Sequence, residues 1–425
     1  MLRELVEKIE KDVTTYNSDY QSDNELRAKI THWLLNNDFN YSLSDDLIRI
    51  MQQAKDEFLV TNNLDFQQIL LESAPFYNEQ HGFPFIDLFA GIGGFNLALS
   101  ANGGSAKFAC EWDKSAKVTY FNNYGKWPFG DINQFTNTNV EDIVINQSIP
   151  DHSILAAGFP CQPFSHAGVS ARTALGLAHG FECETQGTLF HSIARIAFVK
   201  QPQIVFMENV KNIVSHNQGE TFSIIRSTME NLGKEAENKH SYKFFYKLVN
   251  SETVVPQRRV RCYMVCVRED IYNEFGGFEF PEFEGEPLPL FQALENLTVA
   301  EIEEYTISDR LWQGHIHRTQ RNLDRGTGFT AFAANLNKPS NTIVARYGKD
   351  GKECLIPQNE RNPRKLTIQE CSNLFGYPAG FWTPPSKTPA YKQFGNSVVV
   401  PVVQSIAEAI VTQYPITALF EQGML

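Results

Sequence analysis

The feature that most constrains this chain is an alternation. Short apolar runs at Phe83–Phe89, Ala106–Cys110, Ser153–Ala157, Ile204–Met207 and Val260–Val267 end at glycine or polar residues. Helical stretches lie between some of them, such as Thr188–Val199, where Leu189, Ile193, Ile196 and Ala197 share a face. Runs this short suit strands buried on both sides, joined by helical crossovers. The expectation is an α/β fold with a mainly parallel sheet covered on both faces. Ligands of such sheets gather at the carboxyl ends of the strands.

The flanks read differently. Residues 1–80 carry seven basic and fifteen acidic side chains. Leu2, Val6, Ile9 and Val13 recur at helical spacing, so an acidic helical extension is expected over 1–80. Residues 269–304 hold eleven acids and no base, interspersed with Gly276, Gly277, Pro281, Pro287 and Pro289, which reads as a linker. The overall charge of −12 argues at first against a nucleic-acid partner. That average hides residues 310–365, where eleven bases face four acids and are spaced by Trp312, Phe329, Phe332 and Tyr347. Such a stretch suits a phosphate backbone, although a solvated loop region would look similar.

Seven scattered cysteines make no disulfide framework and no paired zinc spacing, which places the chain in a reducing compartment with no metal expected. No run of about eighteen apolar residues is seen, and the charged first residues do not resemble a secretory signal.

Two groups of motifs follow the apolar runs. At the first, Asp87-Leu88-Phe89-Ala90-Gly91-Ile92-Gly93-Gly94 reads as strand, glycine turn and helix. Twenty positions past Gly91, Glu111 suits the two hydroxyls of a ribose, and Trp112 offers a face for an adenine. Asp131, beside Ile132, could accept from the exocyclic amine of that ring. Phosphate-binding signatures are absent, so a nucleoside without phosphates, such as S-adenosylmethionine, fits better than a dinucleotide. At the second, Pro160-Cys161-Gln162-Pro163-Phe164-Ser165 sets a thiol between prolines after a strand. A Pro-Cys pair by itself is ordinarily structural. Its company here is Glu208-Asn209-Val210 after another run and Gln257-Arg258-Arg259-Val260-Arg261 ahead of a third. A cysteine, a glutamate and arginines at strand ends make a site for attack on an electrophilic ring.

In order, DLFAGIGGF, EWD, GDI, GFPCQPFS, ENV, QRRVR and GNSVVVP resemble the motifs of DNA (cytosine-5) methyltransferases, over roughly residues 83–270 and 364–412. HGFECETQGTLF and QFGNSVVVPV look like the bacterial Dcm type and restriction–modification methylases. The resemblance implies a Rossmann-like S-adenosylmethionine-dependent domain over 81–275, a smaller target-recognition domain over 276–384 that includes the acidic linker, and a return to the first domain over 385–425. It implies transfer of a methyl group to C5 of a cytosine flipped out of duplex DNA, at a specific short sequence. The enzyme would be a bacterial cytoplasmic protein at the nucleoid, a monomer on DNA, with no membrane partner. A cognate restriction endonuclease could accompany it and act independently.

The resemblance assigns Cys161 as the nucleophile that adds to C6, and Glu208 as the group that protonates or hydrogen-bonds N3, for which its pKa would need raising. Arg261, and with it Arg259, would hold O2. Asp87, Phe89, Gly91, Gly93, Gly94, Glu111, Trp112, Asp131, Ile132, Pro160, Leu189, Asn396 and Ser397 are expected around the cofactor. Gln162, Ser165, Arg318, Arg321, Arg325, Thr342 and Arg346 are expected on DNA. The segment His166–Gly187 would close over the duplex, Ala167 standing where the family often has serine. Gly326-Thr327-Gly328-Phe329 looks like a recognition loop, and Arg364 to Cys371 like the scaffold of the recognition domain. Three alternatives stay open on the sequence. A nucleotide-dependent oxidoreductase would explain only the glycine turn and Glu111. A DNA-binding regulator on a dead scaffold would not need all of the cysteine, glutamate and arginine. Transfer-RNA methylases share PCQ but lack such a basic segment before GNS.

Overall fold

The computed structural model describes residues 1–36, 38–78, 82–160, 189–234, 236–326, 328 and 330–421. Cys161, Gln162, Ser165, the segment 166–187, Thr327 and Phe329 lie outside the described residues. Two compact units are formed. The first comprises Met1–Leu248, Cys262–Phe280 and Ile406–Leu425, and the second Val249–Arg261 and Pro281–Ser405.

The first unit opens with four helices, α1 (Leu2–Tyr16), α2 (Leu26–Leu35), α3 (Asp45–Asn62) and α4 (Phe66–Ser73). The spacing seen in the sequence becomes a buried stripe on α1: Leu2, Leu5, Val6, Ile9 and Val13. Ser44 and Asp65 cap α3 and α4 by accepting from Leu47 N and Gln68 N. Next come β1 (Pro84–Leu88), α5 (Gly94–Ala101), β2 (Ser105–Cys110), α6 (Lys114–Tyr124), β3 (Ile154–Gly158), α7 (Leu189–Lys200), β4 (Ile204–Val210) and α8 (Glu220–Asn231). Asp113 starts α6 by accepting from Ser115 N and Ala116 N, and left-handed Gly125 ends it.

With β5 (Tyr242–Asn250) and β6 (Val260–Arg268), these strands form one sheet of order β2-β1-β3-β4-β6-β5. The pairs β2/β1, β1/β3 and β3/β4 are parallel. The last run departs from that direction: Arg268 N donates to Gln203 O, so β6 ends where β4 begins and runs antiparallel. A parallel bridge from Cys110 to Phe129 extends the edge beyond β2. One apolar core runs from Leu5 and Ile9 of α1 through Ile86, Phe108, Leu155, Val205 and Met264 of the sheet. Each such side chain contributes about 1.5–3 kcal/mol on burial.

In the second unit, residues 281–289 carry no helix or strand. They lead to α9 (Asp309–Asp324), a hairpin of β7 (Ile356–Gln358) and β8 (Arg361–Arg364), α10 (Ile368–Phe375), α11 (Lys387–Asn396) and α12 (Val400–Gln413), whose residues from Ile406 on belong to the first unit. The Arg364–Cys371 motif is mostly buried. Arg364 meets Glu370 through two bonds of 2.7 Å, and Glu370 also closes a capping box with Thr367.

The expectation that no stretch is long and apolar enough to span a membrane needs correction. The stretch Lys387–Gln413, which comprises α11 and α12, reaches a mean hydropathy of 1.5 over eighteen residues, and 61% of that window is buried in the fold. Interspersed Gly395, Asn396, Gln404 and Glu408 break up its apolar run in the sequence.

Candidate active site

Register brings the strand ends into line. Cys110, Leu88, Ala157 and Met207 stand in one row across β2, β1, β3 and β4, with strands about 4.8 Å apart. The chain leaves that row at Glu111, Phe89, Gly158 and Glu208, so four sequence motifs emerge on one edge. Gly158 and Glu208 are themselves paired. Glu208 is 9% exposed. Its neighbour Asn209 is buried and donates from Nδ2 to Phe159 O at 2.9 Å, which ties the end of β4 to the segment entering Pro160. The Asn209 clamp is a contact that the sequence did not show; the trace of it there is the ENV tripeptide. Pro160 is exposed just beyond β3, and Leu189 opens α7 half-buried.

The glycine turn is built around backbone that most residues avoid. Phe89 lies at φ 57°, in the left-handed region that strongly disfavours a bulky side chain. Gly91 and Gly93 have φ of 55° and 86°. A Cβ at Gly93 would run into the Tyr124 ring at 2.3 Å, whereas one at Gly91 would meet nothing within 4 Å. The first glycine position therefore opens onto free space and the second is packed. Gly94 opens α5.

Glu111 reaches back over this turn. Its Oε2 accepts from Gly91 N and its Oε1 from Asp113 N, both at 2.7 Å. Burial raises its pKa, against the lowering effect of those N–H groups. Trp112, next along, is 73% exposed. Asp131 Oδ1 accepts from Asn133 N and Nδ2, and Ile132 beside it is buried. Beneath the turn, Asp87 is fully buried, and neither carboxyl oxygen has a hydrogen-bond partner among the described residues. Burial, reinforced by the nearby charge of Glu111, pushes its pKa well above the usual carboxylate range.

These features fit a nucleoside. Open space at Gly91, a carboxylate fixed at its edge, an exposed indole and a second acceptor at Asp131 stand on consecutive strand ends. They do not form a phosphate cradle, because no lysine or arginine belongs to the turn.

The cysteines sort themselves by environment. Cys110, Cys262, Cys266, Cys354 and Cys371 are buried and unbridged. Burial lifts every one of these thiols: Cys262, with Glu208 adding to the effect, and Cys354 to about 12, the others well above the ordinary value.

Other expected residues fall in the second unit. Arg259 is 3% exposed and donates to Ile343 O, Gly395 O and Ser397 O, with Phe375 under its guanidinium. Its donors thus hold the GNS segment to the chain around Ile343. Arg261 is half-buried on β6 and bonds Val260 O. Ser397 Oγ and Tyr377 Oη lie 2.6 Å apart, while Asn396 is exposed. Thr342 Oγ1 donates to Arg258 O at 2.6 Å. Arg318 and Arg346 both approach the Asp350 carboxylate, at 3.7 and 3.4 Å, and Arg321 and Arg325 are exposed on and just after α9.

The model of the family described as C-5 cytosine-specific DNA methylase matches residues 83–412. The chain belongs to that family. Type II methyltransferase M.SsoII of Shigella sonnei is 42% identical over 346 residues, which cover 80% of this chain and 83% of that protein. A DNA-cytosine methyltransferase of Escherichia coli (strain K12) is 38% identical over 383 residues, covering 81% and 80%. Among solved structures, Dnmt2 methyltransferase of S. pombe aligns with a TM-score of 0.55 over 78% of this chain and 98% of that one, at 16% identity. That likeness supports the methyltransferase fold. The expected family and its α/β fold with a mainly parallel sheet are thereby shown, and the acidic extension expected over 1–80 lies outside the family match.

Proposed function

We propose that this C-5 cytosine methylase modifies a short specific sequence in duplex DNA through a covalent bond between Cys161 and C6 of a flipped-out cytosine. The observation that carries the reading is the aligned row of strand ends, where Glu208 stands opposite Gly158, three residues ahead of Cys161. The five described thiols, Cys110, Cys262, Cys266, Cys354 and Cys371, are buried with raised pKa values, and the PCQ motif of the family assigns the nucleophile to Cys161.

Asp87, Phe89, Gly91, Gly93, Gly94, Glu111, Trp112, Asp131, Ile132, Pro160 and Leu189 would hold S-adenosylmethionine, with Glu111 on the ribose and Asp131 on the adenine amine. Asn396 and Ser397 take a share of this role from the family pattern. When bound, the cofactor supplies a sulfonium methyl group. The chain's own part is to make the cytosine ring reactive. The Cys161 thiolate adds to C6 while Glu208 keeps a proton at N3 and Arg261 holds O2, so electron density collects at C5. After C5 is methylated, loss of its proton to water expels the thiolate. Arg259, bound to three main-chain carbonyls, keeps the strand carrying Arg261 in place and leaves O2 to Arg261.

Gln162, Ser165, Arg318, Arg321, Arg325, Thr342 and Arg346 are assigned to DNA. A restriction endonuclease as companion, monomeric action on DNA and residence at the nucleoid complete the reading. The test is a duplex carrying 5-fluorocytosine, incubated with the protein and S-adenosylmethionine. Fluorine at C5 cannot leave as a proton, so a denaturation-resistant adduct is expected, absent in Cys161→Ala. No adduct with DNA, or one with RNA instead, would overturn the reading.

A further inference from the structure

We infer that the acidic N-terminal extension is part of the cofactor machinery, with Glu25 as the positioning residue for the Gly130-Asp131-Ile132 turn. The inference rests on the assignment of that turn to S-adenosylmethionine.

The segment from Trp127 to Gly130 is held from two sides. On the sheet side, Phe129 N donates to Ala109 O, Glu111 N donates to Phe129 O, and Cys110 Sγ donates to Gly130 O at 2.9 Å. On the other side two backbone N–H groups of the segment are taken up by α2 and by Glu25, the residue just before it. Trp127 N donates to Thr31 Oγ1, and Gly130 N donates to Glu25 Oε2, both at 2.9 Å. His32 Nε2 accepts from Ala109 N at 3.1 Å, so the same helix also takes up an edge donor of β2. A Cβ at Gly130 would stand 2.6 Å from Glu25 Oε1, so the carboxylate packs directly on the turn. Arg27 lies over the Trp127 ring at 5.3 Å and fixes the other end of the segment.

The strand next to β2 is here a single bridged residue, Phe129. Past that bridge the sheet reaches the turn through Cys110 Sγ on Gly130 O, and Asp131 must be held still to accept from one particular amine. The acceptor from the extension adds a restraint one residue before Asp131. It acts through the backbone and touches no part of the ligand.

The experiment uses the full chain with S-adenosylhomocysteine as probe, binding being read by calorimetry and protection of the Gly130 amide by hydrogen exchange. Glu25→Ala should weaken binding about tenfold, the effect of losing one charge-assisted bond that orders a contact. Gln keeps a carbonyl acceptor, so Glu25→Gln should bind within about threefold of wild type. The Gly130 amide should be protected in wild type and exchange faster in Glu25→Ala. Unchanged affinity in Glu25→Ala overturns the inference, as does an equal loss in both variants. Should Glu25→Ala fail to fold, an unprotected Gly130 amide in wild type overturns it instead. A wild-type chain that takes up no S-adenosylhomocysteine overturns the cofactor reading, and this inference with it.

Discussion

Glu208 owes its place to register. Pairing with Gly158 puts its carboxyl group beside the strand whose extension carries Cys161, while Asn209 behind it pins the Phe159 carbonyl. A glutamine at 208 keeps the volume and one acceptor but can deliver no acid proton. Glu208→Gln should therefore lower single-turnover methylation of duplex DNA by about a hundredfold or more while S-adenosylhomocysteine binding stays near wild type. Equal loss of binding would assign the residue to the cofactor instead. Asp87 makes a different prediction. Its folded-state pKa is raised, so its stabilising share is complete only below the ordinary value of 3.8 and is lost as pH rises through the folded value. Near neutral pH a buried, unpartnered carboxylate opposes folding. Asp87→Asn should raise thermal stability at pH 7 by about 1 kcal/mol, with the gain shrinking toward pH 4. Melting curves of the two proteins across that range test it. Both positions were legible as polar residues, Glu208 just after an apolar run and Asp87 within one. Which carboxylate would be satisfied and which left without a partner was not, because that depends on neighbours brought in by strand pairing.

Among the elements, α2 has a role its sequence does not announce. LRAKITHWLL shows a nearly all-round buried helix rather than a clean amphipathic stripe, because it lies against the sheet edge. His32 Nδ1 donates to Ala28 O at 2.8 Å, which leaves Nε2 to accept from Ala109 N, an arrangement only the neutral ring allows. Burial, with Lys126 adding to it, holds the His32 pKa well below 6.5. The unfolded chain therefore binds the extra proton below about 6.5, and stability should fall as pH drops through that value. His32→Gln should flatten the dependence of the melting temperature between pH 7.5 and 5.5, and an unchanged slope would remove His32 as its source. The other element that escaped the sequence is β5. Its apolar residues are interrupted by Lys243 and Lys247, and the face that buries Tyr242 and Phe244 exposes Tyr246 and Leu248 further along, so no continuous apolar run marks it. β6 was visible as a strand, but its reversed direction was not, since direction follows from the short connection out of β5.

For the whole molecule, the division of labour is the main consequence. The motif-bearing parallel strands fall in the first unit, and the basic stretch 310–365 falls in the second. If sequence choice resides there, transplanting residues 305–360 into a related methylase should move the methylated sequence, as read by bisulfite sequencing. Specificity that stays with the host would place recognition elsewhere. Part of the positive charge is already balanced inside that unit, where Asp350 faces Arg318 and Arg346, so Arg321 and Arg325 stand out as phosphate candidates. The amino-acid order alone determined the alternating architecture, the family and the residues that chemistry requires, because apolar runs and their terminal motifs are local patterns. Only tertiary structure decided which carbonyls engage Arg259, which carboxylate stays unpaired and which helix braces the Gly130 turn. Those outcomes depend on contacts between residues far apart in the chain, such as the 105 positions separating Glu25 from Gly130.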